Sequence, residues 1–159
     1  MAWGQGELIA TPASVARLAS GIANQGVLLP NRYALKISDS LVMKKPGVKL
    51  AKDAVYANTL RTFMEEQSAN RSILFGVNLA GKTGTPERVW KQEKINDGWY
   101  VFFSPNAKGT GNTVVCIRIE STKGSSDAVK LAGQHVIPIL LEKGYIKTNK
   151  KVAYVQPVQ

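Results

Sequence analysis

Between Ala80 and Glu120 the chain carries three strand-like runs, separated by connectors too short to hold a crossover. The first spans about Ala80 to Trp90. The second is Trp99 to Ser104, ended by Pro105. The third is Thr113 to Glu120, where Val115, Ile117 and Ile119 alternate with Cys116, Arg118 and Glu120. That period of two is the pattern of a strand. The connectors, Lys91 to Gly98 and Asn106 to Asn112, are rich in Lys, Asn, Asp and Gly. A parallel pair needs a crossover of about a dozen residues or more. Connectors this short join antiparallel neighbours, so the spacing predicts a three-stranded meander.

Helical patterns flank the meander. Thr11-Pro12 reads as an N-cap followed by proline in the first helical position. Val15, Leu18, Ala19 and Ile22 follow at helical spacing, and Gly26 closes the helix. Tyr33 to Ile37 alternates like a short strand, and Lys45-Pro46-Gly47 reads as a turn. Asp53 is placed to cap a second helix running to about Gln67, with Tyr56, Leu60, Phe63 and Met64 as its apolar face. A last helix begins near Ser126-Asp127 and ends at Gly144. Val129, Ala132, Val136 and Leu140 mark its buried stripe, and Pro138 predicts a kink or break. The expected fold class is α+β: a three-stranded antiparallel sheet packed with helices. One unit covers residues 1–146. A basic tail, 147–159, is expected to be loosely held. The sheet should retain an open edge.

Composition narrows the function classes. Of 159 residues, 44% are hydrophobic, enough for a folded domain with a sizeable core. No apolar run approaches the roughly 18 residues of a membrane span. The start, Met1 to Gly6, lacks the basic and apolar regions of a signal peptide, so any targeting segment or membrane anchor is expected upstream. The formal net charge of +10 raises the possibility of nucleic-acid binding. Lys and Arg are spread along the whole chain, however, without interleaved aromatics, which argues against a nucleic-acid partner. With one cysteine, Cys116, and one histidine, His135, neither a disulfide framework nor the usual zinc site can be built. No metal and no cofactor is expected. Cys116 lies in the run Val114 to Ile117 and reads as a buried structural thiol. His135 reads as a surface or packing residue.

The residues with chemical potential are Lys82-Thr83-Gly84-Thr85, in the first run of the meander. Lys82 supplies a positive charge. Thr83 and Thr85 supply hydroxyls and, two apart on a strand, point to the same side. Gly84 removes a side chain between them and lets a ligand backbone approach. An edge strand so equipped suits an extended peptide ending in a carboxylate.

Lys-Thr-Gly-Thr resembles the third motif of the penicillin-binding proteins and serine β-lactamases. Its surroundings extend the likeness. Gly4 to Pro12 resembles the Gly-Gln-Gly segment leading into a Thr-Pro helix in the transpeptidases, and Ala23 to Gly26 resembles the end of that helix. Ala80 to Glu87 resembles the motif strand. Asp97 to Pro105 resembles the next strand, an aromatic run closed by a small residue and proline. Residues 1–146 thus resemble the C-terminal portion of a penicillin-binding protein transpeptidase domain, of the monofunctional, class B type.

The resemblance implies roles. Lys82 would hold the hydrogen-bond network beside the nucleophile. Thr83 and Thr85 would bind the carboxylate of substrate or β-lactam. The backbone N–H of Thr85 would be one of two oxyanion donors, of a kind worth about 3–4 kcal/mol. Gly84 would keep the strand open to the acyl chain. The partners implied are peptidoglycan stem peptides and β-lactams, at the outer, periplasmic face of the cytoplasmic membrane. The chain departs from the family in containing no Ser-x-x-Lys; Ser40 misses by one position, with Lys44 four residues on. Ser68-Ala69-Asn70 imitates the second motif. In the family that motif precedes the Gly-Gln-Gly segment; here it follows, and reads as a decoy. Without its nucleophile the chain is expected to be inert alone. Trp99 to Phe103 read as core, while Trp3 and Trp90 are expected to be exposed.

Two other readings are a peptide-binding or self-associating module and a relative of the β-lactamases or carboxypeptidases. The Gly-Gln-Gly and Thr-Pro context fits the transpeptidases better. If the open sheet edge and exposed apolar surface mediate self-association, scattering mass rises with concentration; a constant monomer mass rejects the module that self-associates.

Overall fold

The computed structural model describes residues 9–34, 36–43, 45–71, 76–108 and 111–148. The Gly4-Gln5-Gly6 segment, Trp3 and the tail beyond Thr148 lie outside the described residues. The meander is present, with helices on both faces. Strand β5 (Ala80–Gly84) and strand β6 (Glu87–Trp90) pair antiparallel with β7 (Glu93–Pro105) along one edge, and β8 (Asn112–Thr122) pairs with the other. Two small antiparallel pairs stand apart: β1 (Val27–Leu28) with β4 (Val48–Lys49), and β2 (Lys36–Ile37) with β3 (Ser40–Leu41). The strand expected from Tyr33 to Ile37 is therefore shorter, and no turn forms at Lys45 to Gly47.

The run Ala80 to Trp90 is interrupted at Thr85-Pro86, because proline has no N–H for the ladder. The register nevertheless carries across the gap, with Gly84 opposite Trp99 and Glu87 opposite Asn96. The connector expected from Lys91 to Gly98 shrinks to Lys91-Gln92, both left-handed (φ 49° and 69°). A two-residue turn of that hand matches the twist of a hairpin. Residues 93–98 belong to the strand: Glu93 and Lys94 are exposed where the ribbon projects beyond the core, whereas Asp97 and Gly98 are buried.

Side chains alternate along β7. Tyr100 and Phe102 face one core with Leu79, Ala128, Val129, Ala132 and Ile137. Phe103 faces the other, with Ala19, Ala23, Met64 and Ala80. Helix α1 (Pro12–Ala23) begins as its sequence predicts: Thr11 Oγ1 accepts from Ser14 N–H, and Ser14 Oγ accepts from Thr11 N–H. Its buried face is Ala19, Gly21 and Ala23; Leu18 is exposed. Asp53 caps α2 (Ala54–Ala69) through Val55 N–H. The expected apolar face of α2 is corrected. Tyr56, Leu60 and Phe63 are 62%, 50% and 58% exposed, while Ala57, Met64 and Ser68 face inward. Small residues let the helix sit close over β5, and the bulky ones flank the contact.

The last helix runs as α3 (Ser125–Leu131), a π-helical turn (Ala132–Val136) and α4 (Ile137–Glu142). The π turn ends at Val136, two residues before Pro138, where a kink was expected; the wider turn accommodates a residue that cannot donate its N–H. Beyond the helix, Ile146 bridges to Asn106 and Thr148 to Val77 by backbone pairing.

Two contacts lock the sheet. First, the Tyr100 hydroxyl passes Gly81 to meet Ser68 Oγ of α2 at 3.3 Å. A Cβ at Gly81 would stand 2.5 Å from that hydroxyl and 2.8 Å from Ser68 Oγ. Second, Asp97, 2% exposed, accepts from three side-chain N–H groups, one of them shared between its two oxygens, and from one backbone N–H. Arg88 of β6 reaches it at 3.1 and 3.2 Å through Nε, and Arg118 of β8 at 3.1 Å through Nε and 2.7 Å through Nη2; Ser121 N–H reaches it at 3.1 Å. Its own N–H donates to Pro86 O at 3.1 Å. Burial pushes the Asp97 carboxyl up, but the bonds from Arg118, Ser121 and Arg88 outweigh it and hold it below the ordinary carboxylate value.

Gly81→Ala should overpack this joint and cost about 1–3 kcal/mol, read as a lowered urea midpoint. Asp97→Asn leaves two arginines without their carboxylate and should cost about 2–4 kcal/mol at pH 7, at the lower end because the guanidinium groups are partly solvated. Since the folded carboxyl titrates below its unfolded value, its contribution is complete above about pH 4 and is lost as pH falls through the folded value. The stability gap between wild type and Asp97→Asn should therefore be flat from pH 5 to 7 and shrink below pH 4; a gap that widens in acid contradicts this assignment.

Candidate functional site

The motif lies at the open edge of the sheet. Strand β5 pairs with β7 on one side, and no described strand pairs with its other side. Lys82 stands opposite Val101, on the α1–α2 face, and is exposed; its Nζ donates to the Thr83 carbonyl at 2.7 Å. Thr83 stands opposite Tyr100, on the α3 face. Thr85, just past the strand end, also turns toward α3, where its Oγ1 accepts from Ser125 N–H at 3.0 Å. The two hydroxyl residues thus share a side, as strand alternation predicts, and Lys82 takes the other.

Gly84 is the informative member. A Cβ there would meet only Trp99 Cβ, at an ordinary 3.5 Å, and the residue has no left-handed φ. Neither packing nor backbone conformation within the described chain demands glycine at this position. Gly81, three residues earlier, is demanded by Tyr100. Gly84 follows Thr83 and precedes Thr85 in the chain but opens on the opposite face, the one that carries Lys82, where among the described residues its backbone is open to the approach of an extended ligand.

The remaining candidates separate cleanly. Ser68 of the Ser68-Ala69-Asn70 string is 4% exposed and bonded to Tyr100, a phenol whose pKa burial raises. A phenol kept protonated is no base, which agrees with reading this string as a decoy. Cys116 is half-buried, not fully buried as expected, and burial pushes its thiol pKa up, away from nucleophilic thiolate. His135 is exposed on the π turn. Trp90 is 59% exposed, whereas Tyr100, Phe102 and Phe103 are core. No group of three or more potential metal ligands occurs among the described residues. No helix among them is long and apolar enough to cross a membrane.

Sequence reasoning missed the residues that shape the motif from outside it: Asp97, Gly98, Arg88, Arg118 and the link at Gly124-Ser125. Asp97-Gly98 carried a signal, but Asp-Gly is the strongest of turn dipeptides and reads as loop. Here it lies within β7, opposite an irregularity of β8 where Ser121 takes a φ of 53°.

The fold has counterparts. No curated protein matches the chain. Among solved structures, PBP2 of Pseudomonas aeruginosa in complex with WCK 5153 superposes with a TM-score of 0.67 at 23% identity, covering 98% of this chain and 34% of that one. PBPA of Mycobacterium tuberculosis gives 0.64 at 23%, covering 87% and 34%. PBP2 of Helicobacter pylori, solved with MreC, gives 0.61 at 25%, covering 90% and 26%. The chain therefore spans about a third or less of the length of these relatives. The sequence profile of the penicillin-binding protein transpeptidase domain matches residues 1–140, and the chain belongs to that family.

Proposed function

We propose that this chain is the substrate-holding, C-terminal portion of a class B D,D-transpeptidase that cross-links peptidoglycan stem peptides through an acyl-serine intermediate. The observation that carries the reading is the motif strand itself: Thr83 and Thr85 face one way along a sheet edge that no described strand pairs with, and Gly84 leaves the opposite face, beside Lys82, without a side chain. Likeness to the PBP2 structures supports the class B assignment.

In this reading an extended stem peptide lies along β5. The hydroxyls of Thr83 and Thr85 donate to its terminal carboxylate, and the Thr85 N–H faces the oxygen that gains charge as the carbonyl is attacked. Gly84 admits the peptide backbone. Lys82, on the other face of the strand, stabilises the nucleophile's hydrogen-bond network. The serine that attacks is supplied by sequence beyond this chain, since no Ser-x-x-Lys occurs in it. Its hydroxyl oxygen bonds to the carbonyl carbon, the terminal amino acid leaves with a proton on its amine, and a second peptide's amine then displaces the serine. The parent protein works at the outer face of the cytoplasmic membrane, held by an anchor upstream. Alone, the chain holds one side of a site and turns over nothing.

Intact-mass spectrometry after incubation with a β-lactam tests this reading. The chain should show no covalent adduct, whereas a version extended upstream to include Ser-x-x-Lys should acylate once. A stoichiometric adduct on the chain alone reveals a nucleophile within it, with Ser68 the first to replace, and ends the proposal.

A further inference from the structure

From Leu29 to Leu50 the chain leaves the body of the fold, and among the described residues of this excursion none is buried. Its base is fixed. Strand β1 pairs with β4, and the Leu50 N–H donates to the Gly26 carbonyl at 2.8 Å. Arg32 Nη1 donates to the Val42 carbonyl at 3.4 Å and joins the two arms. In the middle lies the β2–β3 ribbon. Lys36 stands opposite Leu41 on one of its faces, and Ile37 opposite Ser40 on the other. Leu41 is 81% exposed and Met43, just beyond the ribbon, 86%. A lone two-stranded ribbon is marginally stable in water, so this one gains from a surface that covers its apolar side chains.

Charge selects the surface. Between Arg32 and Lys52 the sequence has six cations, five of them lysines, and one acid, Asp39. That acid is paired with Lys36 Nζ at 3.1 Å. Lysine is depleted in protein interfaces, where arginine and aromatic residues prevail, and Tyr33 is the one aromatic residue of the excursion. A nucleic-acid platform likewise needs aromatic faces in series. Lysines around exposed aliphatic side chains match an anionic bilayer: the aliphatic groups enter the boundary of the acyl chains, and each lysine keeps its ammonium at the headgroups.

We propose that the ribbon face carrying Lys36 and Leu41, together with Met43 and the exposed Lys45 and Lys49, docks on an anionic lipid surface. The Lys36–Asp39 pair neutralises the one acid of the excursion, so no uncompensated negative charge meets the headgroups. The lysines supply attraction that salt screens. The aliphatic groups supply a part that salt does not screen. Such docking does not depend on the role proposed for the motif strand.

Co-sedimentation of the whole chain with vesicles tests the proposal, using phosphatidylcholine alone and phosphatidylcholine mixed with phosphatidylglycerol. The chain should bind the mixed vesicles and bind pure phosphatidylcholine about tenfold more weakly or worse. Leu41→Ser combined with Met43→Ser should lower affinity for the mixed vesicles about tenfold. Lys45→Gln and Lys49→Gln should each lower it about fivefold. Ile37→Ser, on the other ribbon face, and Lys130→Gln, on α3, should leave it unchanged. All these side chains are exposed, so an unaltered thermal midpoint separates a lost contact from a lost fold. Absence of binding, indifference to phosphatidylglycerol, or equal losses from Lys130→Gln and Lys45→Gln overturns the proposal. Full binding by the Leu41→Ser, Met43→Ser variant does the same, because diffuse charge then suffices. A solution mass that rises with concentration in wild type but not in that variant identifies a second copy as the cover and rejects the bilayer. Loss of vesicle binding in a version extended upstream assigns the cover to upstream sequence and rejects it equally.

Discussion

The carboxylate of Asp97 is the point at which the three ranks of the sheet are joined. It is buried, and a lone buried carboxylate would be costly. Arg88 comes to it from β6 and Arg118 from β8, so the charge is compensated only when both neighbours of β7 are in register. The same residue bonds through its backbone to Pro86, where the ladder to β5 and β6 would otherwise have a hole. Strand pairing, the β8 irregularity at Ser121 and the path of the link to α3 all follow from satisfying one acid. A basic chain with few acids places one of them where two cations converge.

Glycines then decide how closely the layers approach, and they divide by purpose. Gly81 gives the Tyr100 hydroxyl passage to α2, joining the element of one core to the ring of the other. Gly98 and Gly124 let the β8–α3 link sit on the end of the motif strand. Among the described residues Gly84 has no such partner. A residue whose smallness the fold does not use is a residue whose smallness is available to a ligand. That contrast supports the functional reading beyond the four-letter motif, because a motif can recur by chance, whereas a glycine that the described packing does not require, on a strand whose other face carries two aligned hydroxyls, is harder to produce.

Local structure was legible wherever the signal was a short-range one. Thr11-Pro12 and Asp53 cap helices because a side-chain oxygen meets an N–H two or three residues on, a distance fixed by the helix itself. Pro138 disturbs its helix for an equally local reason. The faces of α1 and α2 were less legible. Hydrophobicity suggested Leu18, Ala19, Tyr56, Leu60, Phe63 and Met64 as core; Ala19 and Met64 are buried, but Leu18, Tyr56, Leu60 and Phe63 are exposed and Ala57, not suggested, is buried, because small residues let the helices approach the sheet. Asp97-Gly98 misled in the same way: its local preference is a turn, and the arginines that hold it in a strand are 9 and 21 residues away.

The sequence by itself determined the α+β class, the antiparallel meander, the helix starts and the Lys82 to Thr85 motif with its family likeness. Each of these depends on residues within a few positions of one another. Tertiary structure alone decided which glycines serve packing and which stands open, that Ser68 faces a phenol, and that Thr85 is met by Ser125 from 40 residues further along the chain. Those outcomes are fixed by contacts between segments distant in sequence, and no periodicity along the chain encodes them.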